Sequence, residues 1–86
     1  MHYVIAYDIE QDRKRQKVMA VLKDYGVRVQ YSVFECELDG RRFAELRERI
    51  QDLIDRRRDR VHAYPMCEAC FLRSESWGVE SAALDL

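Results

Sequence analysis

The sequence of 86 residues is poor in the residue types that form phosphate loops, disulfides and membrane spans. Its three glycines are scattered, which excludes a glycine-rich phosphate loop, and its three cysteines are an odd set that argues against a disulfide framework. No apolar run approaches the ~20 residues that cross a bilayer. The start of the chain lacks the basic segment and cleavage site of a signal peptide. We therefore expect a cytoplasmic protein with no membrane contact.

What the sequence does contain is typical of one small globular domain, with 48% hydrophobic and 36% charged residues. A chain this short buries only a little over ~60% of the surface of its unfolded state, so its core is thin. A second copy would add buried apolar area. The composition therefore favours a homodimer.

The hydrophobic pattern of the first half predicts a strand, a helix and a second strand. The apolar run at residues 3–7 is typical of a central strand. The apolar residues that follow have helical spacing and end at a glycine: Val18, Val21, Leu22, Tyr25 and Gly26. Residues 27–38 alternate in polarity, but the phase of the alternation flips at Phe34, which indicates a β-bulge or a change of covered face. We predict one long, bent strand there.

In the second half, Asp39 is a candidate N-cap for a helix with an apolar stripe: Phe43, Leu46, Ile50, Leu53 and Ile54. Residues 60–64 alternate as a strand ended by Pro65, residues 67–70 form a turn or one helical turn, and residues 71–77 form a last core strand. The predicted fold is α+β and ferredoxin-like, βαββαβ, over residues 1–78, with an antiparallel sheet and both helices on one face. Residues 79–86 form a tail that is a candidate extra strand exchanged in a homodimer.

Asp8 is the candidate catalytic and metal-binding residue, because it follows the first strand directly, where side chains project into a loop-lined cleft. The alternative for a lone aspartate is a turn former or a helix cap. One carboxylate holds Mg²⁺ poorly, whereas two copies of Asp8 in a twofold dimer could share one Mg²⁺ or Mn²⁺ ion.

The net charge of −1 conceals local basic clusters that are candidate nucleic-acid contacts. Arg13, Lys14 and Arg15 lie just downstream of Asp8, and Arg28 is a further candidate. A second cluster lies at residues 56–60. The alternative for each cluster is a solvated helix face or loop.

Cys67 and Cys70 have the spacing of a zinc or redox pair. A structural zinc site needs four ligands, and Cys36 and His62 are the remaining candidates but lack paired spacing. A redox motif is expected at a helix start near a βαβ unit, whereas this pair follows the proline-terminated strand. We therefore expect these cysteines to be partly buried packing residues.

Several strings closely resemble the small CRISPR-associated endoribonuclease family. The most distinctive runs from Gly26 to Glu35, and the resemblance covers nearly the whole chain: residues 4–9, 12–18 and 22–35, Asp55, Asp59, Tyr64, Pro65, Cys67, Glu68, Cys70 and Gly78. It implies a ferredoxin-like homodimer that holds Mg²⁺ between two copies of the residue matching Asp8. It also implies tails like residues 79–86 that cross to the partner subunit.

The resemblance implies a metal-dependent endonuclease of single-stranded RNA or double-stranded DNA that acts in spacer acquisition for antiviral defence. The alternative within the family is a non-catalytic, DNA-binding dimer that bridges dimers of the CRISPR integrase. An RNA-binding module on the same fold is disfavoured, because no strand carries the aromatic-rich signature of such modules.

Overall fold

A computed structural model describes residues 1–78. The chain forms four strands and three helices: β1 (His2–Asp8), α1 (Asp12–Lys23), β2 (Gly26–Gln30), β3 (Val33–Glu37), α2 (Gly40–Leu53), β4 (Arg60–Met66) and α3 (Glu68–Leu72). The strands make one antiparallel sheet in the order β2-β3-β1-β4. The predicted ferredoxin-like βαββαβ arrangement is confirmed, with α3 added after β4. None of the helices within residues 1–78 has the length and hydropathy needed to cross a membrane.

The hydrophobic core lies between the sheet and the two long helices. Ile5, Tyr7 and Phe34 of the sheet are buried against the apolar stripes of α1 and α2, which consist of Val18, Leu22, Leu46 and Ile50. Side chains alternate along a strand. Ala6, which lies between Ile5 and Tyr7, and the residues on the outer side of that pair, Val4 and Asp8, therefore point to the opposite face of the sheet.

The face of the sheet turned away from α1 and α2, which we call the open face, carries Val4, Ala6 and Asp8 of β1 and their cross-strand neighbours. Two large apolar side chains there are substantially exposed, Val27 at 48% and Tyr64 at 54%. At one corner, α3 contacts this face through Phe71, whose ring stacks on His2 with centroids 3.9 Å apart. Large apolar side chains that stay exposed on one face of a sheet are typical of a surface that binds a partner.

The prediction of one bent strand over residues 27–38 was wrong, because the chain reverses there to form the β2-β3 hairpin. Val27 pairs with Glu35 and Arg28 with Phe34, and the register shifts between Arg28 and Gln30. A hairpin and a bulge both change the phase of the alternation, so the pattern alone could not distinguish them.

The predicted last core strand at residues 71–77 was also wrong. Phe71 and Leu72 belong to α3, and the exposed residues 73–77 form no strand. The fourth position in the sheet belongs to β4, which continues through Pro65, the partner of Tyr3. Proline is tolerated there because β4 is an edge strand. The predicted crossing tail, residues 79–86, lies outside the described residues.

Two carboxylates anchor the ends of the helices. Asp39 caps α2 as predicted, because its Oδ1 accepts a hydrogen bond of 2.8 Å from the backbone N–H of Arg42. The buried carboxylate of Asp59 accepts from the backbone N–H of Asp55 at 2.8 Å and from Lys14 Nζ at 2.9 Å. These bonds, the one from Asp55 first, hold the pKa of Asp59 below its ordinary value. Lys14 therefore joins α1 to the loop before β4.

Candidate active site

Asp8 is the last residue of β1, and its side chain lies exposed on the open face. Its neighbour in β4 is Arg60, which is also exposed. Within residues 1–78, no protein hydrogen bond or ion pair occupies the Asp8 carboxylate. An exposed carboxylate that no neighbour neutralises is available to an external cation.

The ligands around Asp8 fit a divalent metal only if a second copy of the chain contributes. In the part of the chain that the structure describes, no three His, Cys, Asp or Glu side chains are placed to hold a metal ion. Mg²⁺ is bound through one or two carboxylates, with water and substrate phosphate completing its six oxygen ligands. A pair of Asp8 carboxylates facing each other across a dimer fits this requirement.

Arg15 organises the turn that follows Asp8. Its Nη1 donates to the carbonyl oxygen of Ile9 at 3.0 Å and to that of Glu10 at 3.3 Å, and its Nη2 pairs with Asp12. Ile9 is buried, so the turn is held both by packing and by the guanidinium. These contacts place a fixed positive charge close to the end of β1.

A cleft of about 140 Å³ lies between α1 and the β2-β3 hairpin; we call it the basic cleft, and it is lined by Tyr7, Arg15, Gln16, Met19, Arg28 and Tyr31. The guanidinium of Arg28 lies 3.6 Å from Met19 Sδ and 5.4 Å from the centroid of the Tyr31 ring. Arg15 and Arg28, which are 13 residues apart in the sequence, thus share one cleft. Two guanidinium groups in a small cleft are suited to phosphate oxygens.

The buried Tyr7 forms part of this cleft and directly precedes Asp8. Burial raises the pKa of its hydroxyl, although the charges of Arg28 and Arg15 act in the opposite direction. Tyr7 therefore stays protonated at neutral pH, and its hydroxyl can donate a hydrogen bond to a bound anion.

The structure separates the sequence-predicted basic residues. Arg15 and Arg28 line the basic cleft, Arg13 is exposed on the first turn of α1, and Lys14 is engaged by Asp59. Tyr31 was not selected from the sequence, because it falls within the strand predicted over residues 27–38. Tyr31 instead lies at the hairpin turn with 72% of its surface exposed, and the phase flip beside it was the signal for that turn.

The expectation that Cys67 and Cys70 are packing residues was wrong. Both are exposed, and Cys67 is the N-cap of α3, whereas Cys36 is the buried cysteine. The pair adjoins the His2 end of β1, and six residue steps of ~3.3 Å separate His2 from Asp8, about 20 Å in all. These cysteines therefore lie apart from the basic cleft.

Comparison with known proteins assigns the chain to a family. The family described as CRISPR associated protein Cas2 matches residues 1–74. The CRISPR-associated endoribonuclease Cas2 3 of Synechocystis is 43% identical over 76 residues, which are 88% of this chain and 83% of that protein. A crystal structure of a hypothetical protein from Thermus thermophilus is 43% identical, covers 92% of both chains and has a TM-score of 0.84. A chain of a partial Cas6-RT-Cas1–Cas2 complex is 29% identical, with 87% of this chain and 82% of that chain covered and a TM-score of 0.76. The chain therefore belongs to the CRISPR associated protein Cas2 family.

Proposed function

We propose that this protein is a Mg²⁺-dependent endonuclease that acts as a homodimer on single-stranded RNA or double-stranded DNA in spacer acquisition. The observation that carries the proposal is the exposed Asp8 carboxylate at the end of β1, beside a turn held by Arg15 of the basic cleft. The name endoribonuclease, given to the Synechocystis relative, supports the reaction class.

The open face supports the homodimer. Val27 and Tyr64 are exposed there, and the adjacent Val4 and Ala6 are only partly buried. Packing two open faces together would cover these side chains and contribute to stability through buried apolar area. Asp8 lies on the same face, so a twofold axis through that end of the sheet would bring its two copies together. Their repulsion would be relieved by a divalent cation.

Each element of the site has a role in this reaction. The cation would neutralise charge at the scissile phosphate and polarise the attacking water. Arg15 and Arg28, on the α1 side of the sheet, would hold other phosphates of the same nucleic acid, and Arg13 would extend the positive surface along α1. Tyr31 is exposed beside Arg28, where its ring can stack on an unpaired base.

Removal of the metal is the direct test of this function. We expect the purified wild-type protein to cleave single-stranded RNA or double-stranded DNA in Mg²⁺ or Mn²⁺. We expect cleavage to fall to background in EDTA and to return when excess Mg²⁺ is added, because the cation would be held by only one Asp8 carboxylate from each protomer, which EDTA outcompetes. Cleavage that continues unchanged in EDTA would exclude the proposed mechanism.

Substitution of Arg28 tests the role of the basic cleft. In a dimer, Arg28→Gln removes two positive charges, so we expect the slope of log binding constant against log salt concentration to become shallower by about 2 on duplex DNA. The matched control is Arg41→Gln, an exposed arginine at the start of α2, for which no change in slope is expected. Fluorescence anisotropy across a salt series measures both slopes. Equal slopes for Arg28→Gln and wild type would show that the cleft does not contact phosphates.

A second function, a non-catalytic scaffold that grips duplex DNA and bridges integrase dimers, is favoured by a separate observation. A structurally similar chain occurs in a complex that contains Cas1 and Cas2. A scaffold needs the basic surface and the faces of the dimer but no bound cation. Its activity in spacer acquisition would therefore survive the loss of Asp8.

A further inference from the structure

Two exposed thiols lie on the first turn of α3, at the end of the molecule remote from Asp8. The Sγ atom of Cys67 accepts a hydrogen bond of 3.4 Å from the backbone N–H of Cys70. Neither residue belongs to the basic cleft or to the hydrophobic core. The nuclease and scaffold functions leave this pair unused.

The backbone already suits a disulfide between these residues. Cys67 is the N-cap of α3 and Cys70 lies in its first turn, and Cα atoms so placed are separated by about 5 Å, which is within the usual range of 4.4–6.8 Å for disulfides. No residue other than glycine has a positive φ angle among residues 1–78, so the turn is unstrained. The Cα spacing therefore allows the bond to close without a large movement of the chain.

The surroundings of the pair favour a dithiol over a metal site. Structural zinc needs four ligands, and within residues 1–78 no third His, Cys, Asp or Glu side chain completes a metal-binding group with the two thiols.

The two thiols also differ in acidity. Hydrogen bonds from the backbone and side chain of Cys70 lower the pKa of Cys67, whereas donation to Cys67 and the nearby charge raise the pKa of Cys70. Such a difference is suited to one attacking and one resolving thiol.

We propose that Cys67 and Cys70 form a redox-active dithiol that closes to an intramolecular disulfide by exchange with a low-molecular-weight disulfide. The Cys67 thiolate attacks one sulfur of that disulfide, a mixed disulfide forms, and the first small thiolate leaves and takes up a proton. Cys70 then loses its proton to solvent and attacks Cys67 Sγ, which releases the second small thiol. Two protein thiols are oxidised and one small disulfide is reduced to two thiols.

The test uses the full-length protein, reduced and then treated with oxidised glutathione, and maps its thiols by alkylation and mass spectrometry. We expect the wild type to lose both exposed thiols to a Cys67–Cys70 disulfide within one chain. Cys36 should resist alkylation until the protein is denatured, because burial raises its pKa to about 11. In reduced protein at neutral pH, limiting iodoacetamide should label Cys67 before Cys70.

Two matched variants isolate the exchange steps. Cys70→Ser should stop at the mixed disulfide between glutathione and Cys67, because the resolving thiol is absent, and Cys67→Ser should form no internal disulfide. Both positions are exposed, so the variants should keep the circular dichroism spectrum of the wild type. Three results would each overturn the proposal: glutathione on both cysteines without an internal bond, a disulfide that links two chains, or stoichiometric zinc that protects both thiols in the purified protein.

Discussion

Asp8→Asn is expected to lower the rate of Mg²⁺-dependent phosphodiester cleavage by at least about a hundredfold. The substitution keeps the size of the side chain but removes its charge, and in a homodimer it removes both carboxylates that would hold the cation. Asp8 is exposed and no protein group in residues 1–78 pairs with its carboxylate, so the fold should be unaffected. Initial rates on labelled RNA and DNA, at saturating Mg²⁺, measure the effect.

The matched control for this substitution is Glu10→Gln, which neutralises an exposed carboxylate two residues further along the chain, outside the strand. We expect it to cleave at close to the wild-type rate. Cleavage by Asp8→Asn at the wild-type rate would remove the nuclease assignment. If Asp8→Asn loses cleavage but still supports spacer acquisition, the scaffold function does not depend on the nuclease site. If Asp8→Asn loses both cleavage and spacer acquisition, then cleavage is required for acquisition.

Gly26→Ala is expected to lower the free energy of unfolding by about 3 kcal/mol or more, near the upper end of the cost of overpacking a core. A Cβ atom at Gly26 would lie 2.3 Å from the backbone oxygen of Glu35 and 2.4 Å from Cys36 Sγ. Gly26 pairs directly with Cys36 where β2 meets β3, so the backbone would have to move. For a domain of this size, the loss corresponds to a fall in Tm of more than about 10 °C.

Gly40→Ala provides the control, because a Cβ atom at Gly40 would meet no heavy atom within 4 Å. Gly40 is the first residue of α2, where alanine has the higher helix propensity, so this variant should be as stable as wild type or more stable by up to about 1 kcal/mol. Thermal unfolding followed by circular dichroism compares the two variants. Equal Tm values would show that β2 and β3 do not approach each other closely at Gly26.

The long, strongly periodic segments could be predicted from the sequence. The apolar stripe of α2 has enough regularly spaced residues to define one face, and the cap at Asp39 depends only on its near neighbours, so both were predictable. The position of Asp8 at the end of β1 was predictable for the same reason, because an uninterrupted apolar run ends there. The nuclease role assigned to Asp8 stays a prediction until it is measured.

The two wrong predictions concern segments whose hydrophobic pattern fits two different structures equally well. The phase flip before Phe34 is compatible with a bulged strand or a hairpin, and only the pairing of β2 with β3 distinguishes them. The apolar residues Phe71 and Leu72 suit a strand or a short helix, and the sheet already has its fourth strand in β4. In both cases the deciding contact joins segments whose proximity no local pattern encodes.

The sequence alone determined β1, α1, α2 and β4, the apolar stripes that the two long helices bury in the core and the candidate carboxylate, because these depend on residue spacing along the chain. Tertiary structure alone decided that Arg15 and Arg28 share a cleft, that Lys14 is held by Asp59, and that the two thiols of α3 stand exposed. Such features depend on the distances between residues far apart in the chain, or on whether other parts of the protein shield a short segment from solvent. Those quantities are set by how the sheet and helices pack, and hydrophobic periodicity does not record them.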